Sequence, residues 1–125
     1  MSSIERKPCH WIGSSLEDLR SFPEDVKDVL GDALAVAQEG GKDTRAKPLK
    51  GFKGSSVVEI VDDYDGDTYR AVYTVKFAGV LYVLHAFQKK SKTGISTPKH
   101  ELELIERRLK LAESDYKKQQ SEKMK

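Results

Sequence analysis

Arg70 and His85 are the two side chains of this sequence whose types and predicted positions suit chemistry on a phosphodiester. Residues 68–77 alternate like one strand of a half-buried hairpin, and a two-residue Ala-Gly turn leads into the next strand. In that register Val72 faces His85 and Arg70 faces Phe87, so Arg70 and His85 are diagonal neighbours about 7 to 8 Å apart between α-carbons. Arginine forks onto phosphate oxygens, and histidine has the side-chain pKa nearest neutrality. RNA is the favoured polymer, because its 2′-hydroxyl supplies a nucleophile without a metal.

Two basic segments flank this pair in the sequence. Residues 44–53 and 79–100 contain no acid, and a sheet of the predicted topology can gather their cations at one end. Lysines there would add point charges for phosphate oxygens. The basic residues of the two segments are Arg45, Lys47, Lys50, Lys53, Lys89, Lys90, Lys92 and Lys99.

Each of these residues also has a purely structural interpretation. His85 lies between Leu84 and Ala86 in a predicted strand, where a hydrogen-bonded structural histidine is equally consistent with the pattern. Arg70 can pair with an acid on the neighbouring strand, such as Glu59. The lysines of residues 89–92 are typical of a solvated loop.

Length and composition restrict the class of protein. A chain of 125 residues predicts one domain over residues 1–125, and 38% hydrophobic residues in periodic runs argue against wholesale disorder. The single cysteine, Cys9, and three histidines without ligand spacing predict no metal site and no cofactor. The sequence shows neither a membrane-spanning run nor a signal peptide, which predicts a cytoplasmic protein with no membrane partner.

The elements that must position the basic residues follow from local spacing. A short edge strand is predicted at residues 8–12, a helix to about Arg20 behind a Ser14–Glu17 capping box, and a second helix ending at Gly40-Gly41. Strands are predicted at residues 56–61, 68–77 and 80–88, with an aspartate- and glycine-rich turn at residues 62–67.

A terminal helix is predicted to begin at Thr97-Pro98, with a frayed polar tail beyond Lys117. Its apolar stripe has three- and four-residue spacing. The order predicts an α+β fold: a short strand, a two-helix hairpin, a three-stranded antiparallel meander with one half-polar face, and a terminal helix.

Several sequence blocks in this order resemble one protein family. They are Trp11-Ile-Gly-Ser-Ser15, Leu19-Arg-Ser-Phe-Pro23, Ala46-Lys-Pro-Leu-Lys-Gly-Phe52, Tyr69-Arg-Ala-Val-Tyr73, Leu84-His-Ala-Phe-Gln-Lys-Lys-Ser-Lys92 and Thr97-Pro-Lys99. The chain is similar, from about Trp11 to Tyr116, to the phage-derived gene-product-49-like proteins of the RelE/ParE toxin superfamily, close to the HigB-type toxins. The resemblance implies a RelE-like fold that agrees with the predicted order of elements.

The resemblance also implies a function. Such a protein would be the toxin of a type II toxin–antitoxin pair, would inhibit translation by cutting mRNA on the ribosome without a metal, and would bind an antitoxin with a helix-turn-helix domain. The catalytic positions would be Arg70, His85, Lys89 and Lys90 on an open sheet face, and the RNA-binding positions would be Lys47, Lys50, Lys53 and Lys92.

Two features leave alternatives open. Several RelE-type toxins carry a tyrosine near the end of the last strand, where this chain has Phe87, so the general base is not identified. The superfamily also contains toxins that inhibit DNA gyrase, and an inactive antitoxin-binding module is a third possibility. The oligomeric state is open.

Overall fold

A computed structural model of the chain describes residues 6–52, 54, 56–89 and 97–123. The chain forms five strands and three helices in these ranges. In chain order they are β1 (Cys9–Trp11), α1 (Ser15–Arg20), α2 (Glu24–Gln38), β2 (Ala46–Pro48), β3 (Val57–Tyr64), β4 (Asp67–Thr74), β5 (Leu81–Lys89) and α3 (Lys99–Lys123).

The five strands form one mixed sheet in the order β1-β5-β4-β3-β2. The predicted meander is the antiparallel centre, β3-β4-β5. The predicted edge strand β1 runs parallel to β5. The other edge is β2, which lies in one of the two basic segments, where no strand is predicted. It is three residues long and ends in Pro48, which an edge strand tolerates because its outer N–H groups need no partner.

The turn between β3 and β4 is tighter than predicted. Both strands extend into the acidic segment, so the turn is only Asp65-Gly66, with φ of 51° and 84°. Positive φ at both central residues is characteristic of the type I′ hairpin turn, whose twist matches that of the flanking strands. The prediction of a turn over residues 62–67 is therefore wrong, because two residues with positive φ are sufficient to reverse the chain.

The register between β4 and β5 is the predicted one around the candidate site. Arg70 pairs with Phe87 and Val72 pairs with His85. The chain turns at the predicted Ala78-Gly79, but β4 ends at Thr74 and β5 begins at Leu81, so the loop is longer than two residues. A shift in register after Val72 compensates for the longer connection. The predicted register is correct at Arg70 and His85, and the chain turns at the predicted residues, although the loop that contains them is longer than predicted.

The helix boundaries depart from the prediction in two places. Ser14 makes no capping bond to the backbone of α1, so the predicted capping box is wrong; its hydroxyl donates to the Asp18 carboxylate at 2.8 Å instead. Helix α3 continues to Lys123, past Lys117, where the polar tail predicts fraying. No helix that the structure describes has the length and apolar character needed to cross a membrane.

The helices cover both faces of the sheet. One core cluster joins α1 and α2 to the face of Ala71 and Tyr73, as the apolar spacing of α2 predicts. The second cluster joins α3 to the face of Val72, with Ile105 at 0% exposure. The half-polar face that the sequence analysis interpreted as open is therefore covered by α3, because the apolar stripe of this helix and the apolar residues of that face bury each other.

Candidate active site

Arg70 lies in β4 and is almost fully buried, with 4% of its surface exposed. Its Nη1 lies 3.0 Å from Oε2 of Glu59 in β3 and donates to Oγ1 of Thr97, 3.2 Å away, just before α3. The structure thus contains the Arg70–Glu59 pair that the structural interpretation of Arg70 anticipates. The pair also orients the guanidinium, which is a requirement for any role on a phosphate.

Lys47 and Lys50 line a cavity of about 140 Å³ at the β2 edge of the sheet. Glu59, Thr97 and Leu102 form part of its wall. The Lys47 Nζ atom lies 3.8 Å from Oε1 of Glu59, whose other oxygen binds Arg70. Glu59 therefore links the exposed lysine to the buried arginine.

Lys89 is the last residue of β5 and pairs with Thr68 at the start of β4. By strand alternation it occupies the same face of the sheet as Arg70, two positions further along. Lys53, Lys90 and Lys92 lie outside the described residues, and their predicted roles stay predictions.

His85 is held on both ring nitrogens beneath α3. Nε2 lies 2.9 Å from Oε2 of Glu101, and Nδ1 lies 3.2 Å from Nη1 of Arg108. Because a guanidinium can only donate, Nδ1 accepts, and the neutral ring carries its proton on Nε2 and donates it to Glu101. The ring also stacks on Phe87 at 4.8 Å between centroids.

Burial lowers the pKa of His85, and the nearby Arg108 acts in the same direction, against the opposing effect of Glu101. With 5% of its surface exposed and both nitrogens engaged, His85 matches the structural interpretation of this residue better than the catalytic one.

The hydrogen bonds around Arg108 extend from α3 to α1. Arg108 donates to the backbone oxygen of Leu84 at 3.0 Å and to the Ser14 hydroxyl at 3.2 Å, and Ser14 in turn donates to Asp18. Charged and polar side chains thus lock α3 over the part of the sheet that carries His85.

A family profile described as "Phage derived protein Gp49-like" matches residues 17–110 of the chain. The chain belongs to this family. The match covers most of the sequence blocks that carried the resemblance and confirms the gene-product-49-like assignment. Among curated proteins, no sequence matches.

Solved structures show the fold of this Gp49-like chain. A mutant of the E. coli toxin RelE in the free state is 18% identical, with a TM-score of 0.50, over 65% of this chain and 81% of that chain. The toxin–antitoxin complex RelBE2 from Mycobacterium tuberculosis is 13% identical, with a TM-score of 0.45, over 73% of this chain and 100% of that chain. The first likeness confirms the predicted α+β, RelE-like fold.

Sequence reasoning missed two residues that hold His85, Glu101 and Arg108. They are seven residues apart on α3, so they share a helix face with Ile105 between them. This spacing could have predicted their role. Charged residues beside the apolar stripe of a helix often contact polar groups of the surface on which the helix packs. Within the described ranges, no three metal-binding side chains come together.

Proposed function

We propose that this chain is the toxin of a type II toxin–antitoxin pair and a metal-independent mRNA endoribonuclease that acts on the ribosome. The observation that carries the proposal is that Lys47, Lys50 and Glu59 line one small cavity, while the buried Arg70 is bound to Glu59 behind its wall. Membership in the Gp49-like family and a fold shared with a protein named as the toxin RelE support it.

The cavity, together with the arginine bound behind its wall, offers groups suited to a 2′-hydroxyl attack. Lys47 and Lys50 bind the phosphate flanking the cleaved bond, and Arg70 stabilises the charge that develops on the phosphorane. The O2′–P bond forms while the P–O5′ bond breaks, which leaves a 2′,3′-cyclic phosphate and a 5′-hydroxyl. One group must take the proton of the 2′-hydroxyl, and another must protonate O5′.

The acid and base are best sought around the cavity. Glu59 is the one carboxylate among the described lining residues, and its position makes it our candidate for the proton acceptor. A lysine of the basic segments is the candidate donor to O5′, with Lys89 and Lys90 the predicted ones. His85 acts on the reaction only if α3 releases it, since both of its nitrogens are bound.

The exposed lysines provide a cleaner test than Arg70. We expect wild-type expression in a bacterial host to arrest growth and to produce new 5′ ends in an abundant mRNA. We expect Lys47→Ala/Lys50→Ala to lose both effects while staying folded, because both side chains are exposed. Lys42→Ala removes an exposed cation on the α2 side of the sheet and should retain both effects.

The same experiment separates the competing functions. Growth arrest with intact messages and induction of DNA damage would indicate gyrase inhibition. The absence of any effect on growth, together with tight binding of a co-expressed small helix-turn-helix protein, would indicate an antitoxin-binding module. To test ribosome dependence, matched transcripts with and without a start codon are compared; to test metal independence, purified protein is assayed in EDTA.

A further inference from the structure

A second cavity lies on the α2 side of the sheet, where α2 ends. Its volume is about 390 Å³, and it shares no lining residue with the cavity around Glu59. Tyr73 and Val58, two residues of the core cluster on that side, line it together with Lys7, Lys42 and the 41%-exposed Val75. Pockets of this size commonly hold small ligands.

Tyr73 supplies a polar group without a protein partner in this cavity. Only 2% of the residue's surface is exposed, and its hydroxyl, which makes no hydrogen bond with any residue that the structure describes, belongs to a residue lining the cavity. Burial, reinforced by the nearby Asp43 carboxylate, raises the pKa of the phenol, so the O–H is retained as a donor. A donor that no protein group satisfies at a cavity wall is available to a water or to a ligand.

Two ammonium groups accompany this donor. The backbone of Lys7 is fixed by α2, because its N–H donates to the Gln38 carbonyl at 2.8 Å and its carbonyl accepts from Gln38 Nε2 at 2.8 Å. In the described part of the chain, neither Lys7 nor Lys42 forms an ion pair. The nearby Asp43 accepts from the Arg45 N–H at 2.9 Å and pairs with its guanidinium at 3.5 Å.

The backbone donors at this end of α2 are already used. The N–H groups of Gly40 and Gly41 bind carbonyls of the last turn, at 3.0 and 2.9 Å. The cavity lining also offers three side-chain donors: two ammonium groups and one phenol. This set matches an oxyanion, with Val58 and Val75 available for an apolar part of the same ligand.

We propose that this cavity binds a small ligand that carries a phosphate group, with Lys7 and Lys42 as counter-ions and the Tyr73 hydroxyl as hydrogen-bond donor. The site is independent of the proposed nuclease function, since it lies on the other side of the sheet.

Titration of the isotope-labelled full chain, made by cell-free synthesis and followed by NMR, tests the proposal. The probes are adenosine monophosphate, inorganic phosphate and uncharged adenosine. We expect saturable shifts of the Lys7, Gly41 and Tyr73 amides with both phosphates and none with adenosine. If the nucleotide binds more tightly than inorganic phosphate, the apolar residues contact the nucleoside part of the ligand. If the two bind equally, the site recognises only the phosphate group.

Variants make the result specific. Tyr73→Phe removes only the hydroxyl and Lys42→Met removes only a charge, and each should weaken binding about tenfold. Lys118→Met, an exposed change on α3, should have no effect. Shifts that fail to saturate, shifts confined to Lys47 and Lys50, or affinity unchanged in Tyr73→Phe would overturn the proposal. A Lys42→Met variant that is less stable but binds the ligand equally well would also overturn it. Such a result would show that the lysine only stabilises the C-terminal end of α2.

Discussion

At the scale of single residues, Arg70 and Glu59 form an ion pair whose side chains are only 5% and 8% exposed. Removing one member of such a pair leaves a buried charge without its partner, whereas replacing both members with apolar residues can be nearly neutral. A loss of toxicity in Arg70→Ala would therefore mix a catalytic effect with a folding effect.

We expect Arg70→Ala to lower the free energy of unfolding by about 3 to 5 kcal/mol. The double variant Arg70→Met/Glu59→Leu should regain most of this loss, because it leaves no isolated charge in the core. Urea unfolding of the single and double variants checks the prediction. Equal stability of wild type and Arg70→Ala would show that the pair contributes little.

A second residue-scale prediction concerns His85 and pH. Its pKa in the folded protein is lowered by burial, so the unfolded chain binds the proton more tightly. The contribution of this lowered pKa to the free energy of unfolding is complete above the pKa of the unfolded chain, about 6.5. It is lost as the pH falls toward the lower pKa of the folded protein. Protonation also removes the Nδ1 acceptor that Arg108 uses.

The expected result is a urea midpoint that falls between pH 7.5 and 5.5 in the wild type and falls less in His85→Gln. The glutamine keeps a polar side chain but does not titrate. An equal fall in both proteins would assign the pH dependence to groups other than His85.

At the scale of elements, α3 is attached to the sheet by a narrow apolar stripe flanked by polar clamps. Ile105 is fully buried at its centre, while Leu111 on the same helix is 57% exposed. Near the other end of the helix, Asp115 accepts from the Tyr82 hydroxyl at 2.7 Å, and the Tyr116 hydroxyl donates to the Ala78 carbonyl at 3.1 Å. Packing and polar contacts thus act together along the helix.

We expect Ile105→Ala to destabilise the protein by about 2 to 5 kcal/mol, because the lost packing is not replaced. Leu111→Ala is the matched control and should change the stability by no more than about 0.5 kcal/mol, as an exposed position. Thermal unfolding of both variants measures the difference. Similar melting temperatures would show that α3 contributes little to the stability of the sheet.

At the scale of the whole molecule, the sheet is the middle layer of three. Helices α1 and α2 cover one face and α3 covers the other, so a single helix packs on the sheet and its connections in the second core cluster. Without that helix, the apolar side chains of Val72, Tyr82 and Leu84 would face water.

A chain that ends at Pro98 is therefore expected to lose cooperative unfolding and to bind the dye ANS. A chain that ends at Gln120 keeps the described contacts of α3 and should unfold like the full chain. Near-UV circular dichroism with thermal melts compares them. Cooperative melting of the shorter chain would contradict a three-layer core. It would indicate instead that the sheet face of Val72 is open to solvent, as the half-polar alternation of β4 suggests.

Much of the local architecture could be predicted from the sequence. The two-residue spacing of β4 and the three- and four-residue spacing of α2 depend on neighbours along the chain. Helix α2 forms where its pattern predicts, and β4 forms too but ends at Thr74 rather than at the predicted Phe77. The three-residue strand β2 gave no comparable signal, because its place in the sheet comes from hydrogen bonds to β3. The pairing of Arg70 with Phe87 was also predictable, since strand register near a hairpin follows from chain connectivity.

The environment of the candidate site was not predictable in the same way. By itself, the sequence determined the family, the order of the main elements and the presence of basic segments, because these are properties of residue type and short spacing. Only the tertiary structure decided that Arg70 pairs with Glu59 and that Glu101 and Arg108 hold His85. These contacts join side chains from elements that are distant in the chain. Many charged residues could pair with each other, and the docking of α3 on the sheet decides which of them meet.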